Sequence, residues 1–237
     1  MLLYYIRHGD PIYRPDSLTP LGVRQAEALS NRLSRYGLDA IYSSTSTRAI
    51  QTAHPTCERL GMTPTLLDFA HEDYAWREFT IPKDDGSGRS WLSASPKAKS
   101  LFTTPEIRAL GDRWSEHPDL IEYHYENGIH RVYDAADAFL SELGYEHLRY
   151  TGKYKVINGN DKRIALFAHS GFGGAFLSCL LDIPYPLFCT HFGMCHSGLT
   201  VIEFNAHNGY SIPKIRTYSS DSHLYHEDVP LSGSPLY

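Results

Sequence analysis

Leu2-Leu3-Tyr4-Tyr5-Ile6-Arg7-His8-Gly9 begins with five apolar or aromatic residues and ends in a cation, an imidazole and a glycine. An unbroken apolar run of this kind is what a strand buried on both faces of a parallel sheet requires. It is too short and too aromatic for a signal-peptide core, and neither a basic start nor a small-residue cleavage site accompanies it. Far along the chain, Arg163-Ile164-Ala165-Leu166-Phe167-Ala168 has the same character and runs into His169-Ser170-Gly171. Two strands thus end in histidine.

The segments between these strands alternate in period. After Thr19-Pro20, a capping residue with proline at the first helical position, Ala26, Leu29, Leu33 and Tyr36 fall on one helical face that Gly37 closes. Residues 39–42 read as a short strand. The hydroxyls of Ser43-Ser44-Thr45-Ser46 then start a helix carrying Ile50, Ala53, Cys57 and Leu60, with Pro55 expected to kink it. A third strand is expected at 65–69, a helix over 129–143 and another over 175–181. Residues 199–204 and 212–218 read as a hairpin joined by Asn205-Ala206-His207-Asn208-Gly209, and the chain from Ser219 on as irregular. The pattern predicts a three-layer α/β/α sandwich around a mostly parallel sheet, in which ligands sit beyond the carboxyl ends of the strands.

The stretch from about 81 to 128 breaks this rhythm, mixing Lys83-Asp84-Asp85-Gly86-Ser87-Gly88 with scattered aromatic residues. It is read as a partly helical cap inserted into a single α/β domain. Trp91, Trp114, Tyr123 and Tyr125 either line a substrate mouth or form the cap's own core, and both readings stand.

Composition narrows the partners. The 237 residues carry 22 basic and 27 acidic side chains, a net charge of −5, so bulk attraction to a polyanion is ruled out and no basic patch argues for nucleic acid. No apolar run reaches the ~18 residues that span a bilayer, and a soluble cytoplasmic protein without membrane partners is expected. Cys57, Cys179, Cys189 and Cys195 include no C-x-x-C pair, and reduced thiols are expected. Among the 13 histidines, His191/His196 and His223/His226 match no tight zinc spacing and read as solvated loop residues, so no metal is expected. Gly171-Phe172-Gly173-Gly174 resembles a dinucleotide fingerprint, but Phe176 takes the third glycine's place, and a tight turn with close helix packing suffices.

What remains at the expected rim is an anion pocket. Arg7 and Arg48 offer planar forks matched to phosphate oxygens, and the helix entries after Ser44 and Gly171 offer free N–H groups. A neutral imidazole there can attack phosphorus when its other nitrogen is held by a hydrogen bond. Alone, His8 reads as a satisfied strand-end histidine and Arg48 as a surface cation; the constellation with Arg7 and His169 gives them a function.

Arg7-His8-Gly9, Leu18-Thr19-Pro20-Leu21-Gly22-Val23-Arg24-Gln25-Ala26, Ser43-Ser44 with Arg48-Ala49, and His169-Ser170-Gly171 occur in this order, and together they resemble the histidine phosphatase superfamily, the phosphoglycerate mutase-like proteins. The resemblance runs from Leu2 to about Phe204. It implies that His8 is the nucleophile and that Arg7, Arg48 and His169 hold the phosphoryl group, with neither metal nor cofactor. Ser170 stands where many relatives have glycine, and its backbone amide is still expected to bind phosphate. The resemblance further implies a carboxylic acid that protonates the leaving oxygen and then activates water. Glu72, Asp73 and Glu78 are candidates; Glu72 is chosen because it follows the third strand soonest. That role needs a pKa raised toward the working pH, which pairing with Arg77 would oppose.

Departures from the pattern favour water over mutase transfer. Asp10-Pro11 follow the glycine where mutases usually carry Glu-Ser, Arg14 stands where they carry asparagine, and no arginine-rich substrate loop is found. Arg14 reads either as a third cation at the pocket mouth or as a solvated residue. The expectation is a metal-independent phosphomonoesterase acting on a small phosphorylated molecule through a phosphohistidine. A phosphoglycerate mutase and a non-catalytic phosphate-binding module are the alternatives.

Overall fold

The computed structural model describes residues 1–232. Its centre is a six-stranded sheet of β1 (Leu2–Arg7), β2 (Ala40–Ser44), β3 (Thr65–Leu67), β4 (Arg163–Ala168), β5 (Leu199–Glu203) and β6 (Lys214–Ser220), in the order β6-β5-β1-β4-β2-β3. β1, β4, β2 and β3 pair in parallel, and β5 runs antiparallel to both β1 and β6. Alternate residues of β1 feed two cores because successive side chains point to opposite faces. Tyr4 and Ile6 join Leu29 and Leu33 of α1 (Pro20–Tyr36) and Ala53 and Cys57 of α2 (Thr47–Leu60). On the other face Leu3 and Tyr5 join one continuous cluster with buried side chains of α4 (Tyr125–Glu142) and α5 (Ser170–Leu181). The α/β/α sandwich is the expected one.

Local signals hold where the sequence carries them. Thr19 caps α1 by accepting the Gly22 N–H, and Gly37 ends it. Pro55 lies inside α2 without ending it. α3 (Glu72–Glu78) was not expected, and a 3₁₀ turn at Asp68–Ala70 cuts the third strand short. α5 begins at Ser170, five residues before the expected start, because its glycines serve packing: a Cβ on Gly173 would lie 2.5 Å from the Tyr5 hydroxyl. α4 likewise starts at Tyr125.

Segment 80–124 forms a hairpin (Thr80–Pro82 with Arg89–Trp91), two short helices (Pro96–Phe102 and Pro105–Leu110) and 3₁₀ turns. Trp114 is buried between Phe102, Tyr125 and Tyr185, with ring centroids 5.5–5.6 Å away. Trp114 and Tyr125 are therefore core, half-buried Tyr123 stacks on Tyr125, and half-buried Trp91 alone turns toward the sheet rim.

The C-terminal third differs most from expectation. β5 and β6 pair as read, but their connection folds into its own hairpin (Ala206–His207 with Tyr210–Ser211), which extends a second sheet with Lys153–Val156 and Tyr145–Leu148. His147 fastens that sheet: its ring nitrogens lie 2.8 Å from Asp137 Oδ1 and 3.1 Å from Asp182 Oδ2. Of the chain from Ser219 on, expected to be irregular, β6 runs to Ser220 and a short helix, Ser222–His226, follows, while the part beyond residue 232 lies outside the described residues. All four cysteines are free, and only Cys195 is partly exposed.

Candidate active site

Parallel pairing of β1 with β4 sets Arg7 opposite Ala168, so the next residues, His8 and His169, leave the sheet side by side. Their ring centroids are 5.1 Å apart and both side chains are buried. His8 Nδ1 lies 2.7 Å from the Gly9 carbonyl oxygen. A carbonyl only accepts, so Nδ1 carries the proton of the neutral ring and Nε2 keeps its lone pair. Burial first, then the neighbouring Arg7 and Arg48 guanidiniums, hold His8 well below the usual imidazole range despite the Gly9 hydrogen bond.

The segment from Leu18 to Ala26 explains how the loop is held. The Gly9 N–H donates to Thr52 Oγ1 at 2.9 Å, and the Asp10 N–H to Gln25 Oε1 at 2.8 Å. Gly9 and Gly22 press backbone to backbone; a Cβ on Gly22 would come within 2.2 Å of the Asp10 carbonyl oxygen. That contact tolerates only glycine.

Both arginines reach this rim. Arg48 is buried, and its Nη1 donates to Asp16 Oδ1 at 2.6 Å. Arg7 donates from Nη1 to the Met194 carbonyl and from Nη2 to His196 Nε2. The Nε atoms of both arginines have no partner among the described residues, so each fork keeps donors for an anion. His169 Nε2 sits 2.8 Å from the hydroxyls of both Ser44 and Ser46, and its Nδ1 has no partner among the described residues. Burial and the facing cations and histidines keep this ring neutral as well. Half-buried Ser170 opens α5 beside it.

The three carboxylate candidates separate cleanly. Glu72 reaches from α3 to the start of α5, where Oε1 accepts the Gly171 N–H at 2.9 Å and Oε2 the Phe172 N–H at 2.8 Å. Those two amides, expected to serve phosphate, are occupied by the carboxylate instead. Burial pushes the Glu72 carboxyl up to about 7, outweighing the two backbone hydrogen bonds and the Arg48 and Arg7 charges. Glu78 is engaged at 2.6 and 2.7 Å by Arg131, and Asp73 is exposed. Arg77 bonds the Asp73 carbonyl rather than Glu72. Trp91 covers the same spot: a Cβ on Gly171 would meet its ring at 2.4 Å and Glu72 Oε1 at 2.8 Å.

Some residues stand elsewhere than the sequence suggests. Arg14 is exposed in the turn between Pro11–Tyr13 and Asp16–Leu18, and it is Asp16 of that hairpin that reaches Arg48. His196 is not a solvated loop residue; its ring lies 5.6 Å from that of His8. His223 is buried too, against the Ser197 hydroxyl at 3.0 Å, whereas His191 and His226 are exposed. Among the described residues, no group of three or more histidine, cysteine, aspartate or glutamate side chains is arranged to hold a metal ion. Nothing in the spacing of Asp16 or His196 marked them, because loops bring them in.

An α/β/α fold with paired histidines at the carboxyl ends of adjacent parallel strands puts them where sheets of this class bind ligands. The profile of the histidine phosphatase superfamily (branch 1) matches residues 3–213, and the chain belongs to that superfamily. A phosphoserine phosphatase from Entamoeba histolytica, solved with 3-phosphoglyceric acid, is 19% identical with a TM-score of 0.60, covering 94% of this chain and 98% of that one. A mycobacterial glucosyl-3-phosphoglycerate phosphatase is 18% identical with a TM-score of 0.58, covering 92% and 98%. These likenesses concern the fold. Among curated proteins, the chain is 24% identical over 225 residues to a PE-PGRS family protein, PE_PGRS11, of Mycobacterium tuberculosis, matching 90% of this chain and spanning 36% of that protein's length. Among the described residues no helix is long and apolar enough to cross a membrane.

Proposed function

We propose that this chain is a phosphomonoesterase that works through a phosphohistidine on His8 and needs no metal ion. The observation that carries the reading is the pairing of a neutral, Nδ1-anchored His8 with a carboxyl, Glu72, raised to about 7 on the same rim. His8 Nε2 attacks phosphorus as the bond to the leaving oxygen breaks, and Glu72 delivers its proton to that oxygen. Glu72, now ionised, takes a proton from water, which attacks the phosphohistidine, releases phosphate and restores the free imidazole. Arg7, Arg48, His169 and the Ser170 amide hold the phosphoryl oxygens, whose growing charge the two guanidiniums match.

The substrate in this reading is a small phosphorylated molecule of the cytoplasm, and segment 81–128 is the cap of a single catalytic domain. Phosphoserine and phosphoglycerate esters, after which the structurally similar phosphatases are named or with which they were solved, are the first natural candidates. The test is hydrolysis of an aryl phosphate by the purified chain in excess chelator, beside His8→Ala. Turnover that survives chelation and disappears with His8, together with an acid-labile phosphoryl label on the wild-type chain, is the expected result. Turnover retained by His8→Ala overturns the mechanism, and isomerisation of a phosphoglycerate faster than its hydrolysis moves the reading to a mutase.

A further inference from the structure

The loop from Phe192 to Gly198, between the helix Tyr185–His191 and β5, is stitched to the end of β1. The Gly198 carbonyl accepts the Arg7 N–H at 3.2 Å, and the Ser197 N–H donates to the His8 carbonyl at 3.0 Å. Within it His196 makes a contact that the proposed chemistry does not use. Arg7 Nη2 lies 2.7 Å from His196 Nε2. A guanidinium nitrogen only donates, so Nε2 must present a lone pair and the ring proton must sit on Nδ1. Nδ1 in turn lies 3.5 Å from Asp10 Oδ1, and Asp10 is itself held, its Oδ2 by the Thr19 hydroxyl at 2.7 Å and its N–H by Gln25.

We infer that His196, oriented by Asp10, is a positioning residue that fixes the Arg7 guanidinium for the phosphoryl group. The inference rests on the proposed use of Arg7 as a phosphate ligand. With Nη1 on the Met194 carbonyl and Nη2 on His196, two of the five guanidinium N–H groups set the plane of the fork. Three N–H groups remain for an anion, among them that of Nε, which has no partner among the described residues. Asp10, where mutases usually carry glutamate, thereby gains a task of its own. The titratable groups facing the ring are Arg7, His8 and Asp10. Burial and Arg7, against the opposing charge of Asp10, push His196 down to about 4, so the ring is neutral near pH 7, as an acceptor must be.

The experiment compares the full chain with His196→Ala, His196→Leu and His196→Gln. Calorimetry with inorganic phosphate gives affinity without turnover, aryl phosphate hydrolysis gives KM and kcat, and thermal unfolding checks the fold. Losing one acceptor for a charged donor should weaken phosphate and raise KM by about 10- to 50-fold in His196→Ala, with a smaller fall in kcat. His196→Leu fills the space without an acceptor and should behave like alanine. His196→Gln supplies an oxygen and should return to within about 3-fold of wild type. Rescue by leucine but not glutamine means the ring only packs and overturns the inference, as does unchanged phosphate affinity in a folded His196→Ala. A wild type that binds phosphate without hydrolysing any ester overturns the proposed function and leaves the inference to the binding series. A wild type that binds no phosphate overturns both.

Discussion

Two buried histidines in this molecule differ in charge, one a cation and one neutral. His147 has carboxylates on both ring nitrogens, lies flat against Tyr154 at 4.3 Å, and has a side chain only 1% exposed. Burial alone would lower its pKa, yet hydrogen bonds with Asp137 and Asp182 raise it to about 9. Asp182 also accepts the N–H groups of Thr151 and Gly152 and the Tyr133 hydroxyl. His8 has a neutral carbonyl on one nitrogen and guanidiniums beside it, and it stays neutral. Burial is common to both; the partners decide. A carboxylate on each side makes a fixed ion that ties segments together, whereas one acceptor and nearby cations leave a lone pair free to react.

The largest test of this contrast is His8→Ala, which should lower kcat by at least about 10³-fold while circular dichroism and melting temperature stay near wild type. Substantial residual turnover breaks the contrast at its reactive end. Next comes Glu72→Gln, expected to slow phosphorylation of His8 by an alkyl phosphate, read in single-turnover experiments, by about 10²-fold or more and phosphorylation by an aryl phosphate much less, because an aryl oxide leaves without a proton. The acid must be protonated to act, so alkyl phosphate turnover should fall as pH rises through about 7, a limb that Glu72→Gln should lack. Equal losses on both substrates would remove Glu72 from the acid's role.

At the structural end, His147→Leu removes the cation between Asp137 and Asp182, leaving Asp137 to Arg149 and Asp182 to the Thr151, Gly152 and Tyr133 donors. It should cost about 3–5 kcal/mol in urea unfolding with kcat within about 2-fold of wild type, and a kinetic defect as large as that of His8→Ala would erase the distinction. The smallest effect concerns pH. The His147 pKa is raised from 6.5 to about 9 in the folded chain, so its stabilisation is complete below pH 6.5 and lost as pH rises through about 9. That loss is on the order of 3 kcal/mol. Urea titrations at pH 6.5 and 10 should reveal it in wild type and not in His147→Leu.

How much of this was legible follows from which interactions are local. β1, β4 and α1 announce themselves because burial on both faces, or a 3.6-residue stripe, leaves a pattern in neighbouring residues. Arg7, His8 and His169 were readable as strand-end residues, and Arg48 from its motif. Glu72 and Glu78 could not be separated by pattern alone. They lie six residues apart on one short helix, which sets them about 120° apart around its axis and so on different faces. The early start of α5 was hidden because glycines that make room for Tyr5 look like turn residues. The hairpin of Tyr145–Leu148 with Lys153–Val156 was not legible because its alternation, Lys153-Tyr154-Lys155-Val156, spans only four residues, too short a run to stand out. Asp16 and His196 enter through tertiary approach of loops, which no spacing encodes.

The adjacency of β1 and β4 also sets a timetable for biosynthesis. Leu2 pairs with Arg163 and Arg7 with Ala168, so the strand that carries His8 emerges about 160 residues before the one that completes its surroundings. At ribosomal rates of 5–20 residues per second the delay is roughly 10–30 s. Through that interval β1 has no partner on its β4 edge, whose backbone N–H and C=O groups stay open to water until Arg163–Ala168 is made.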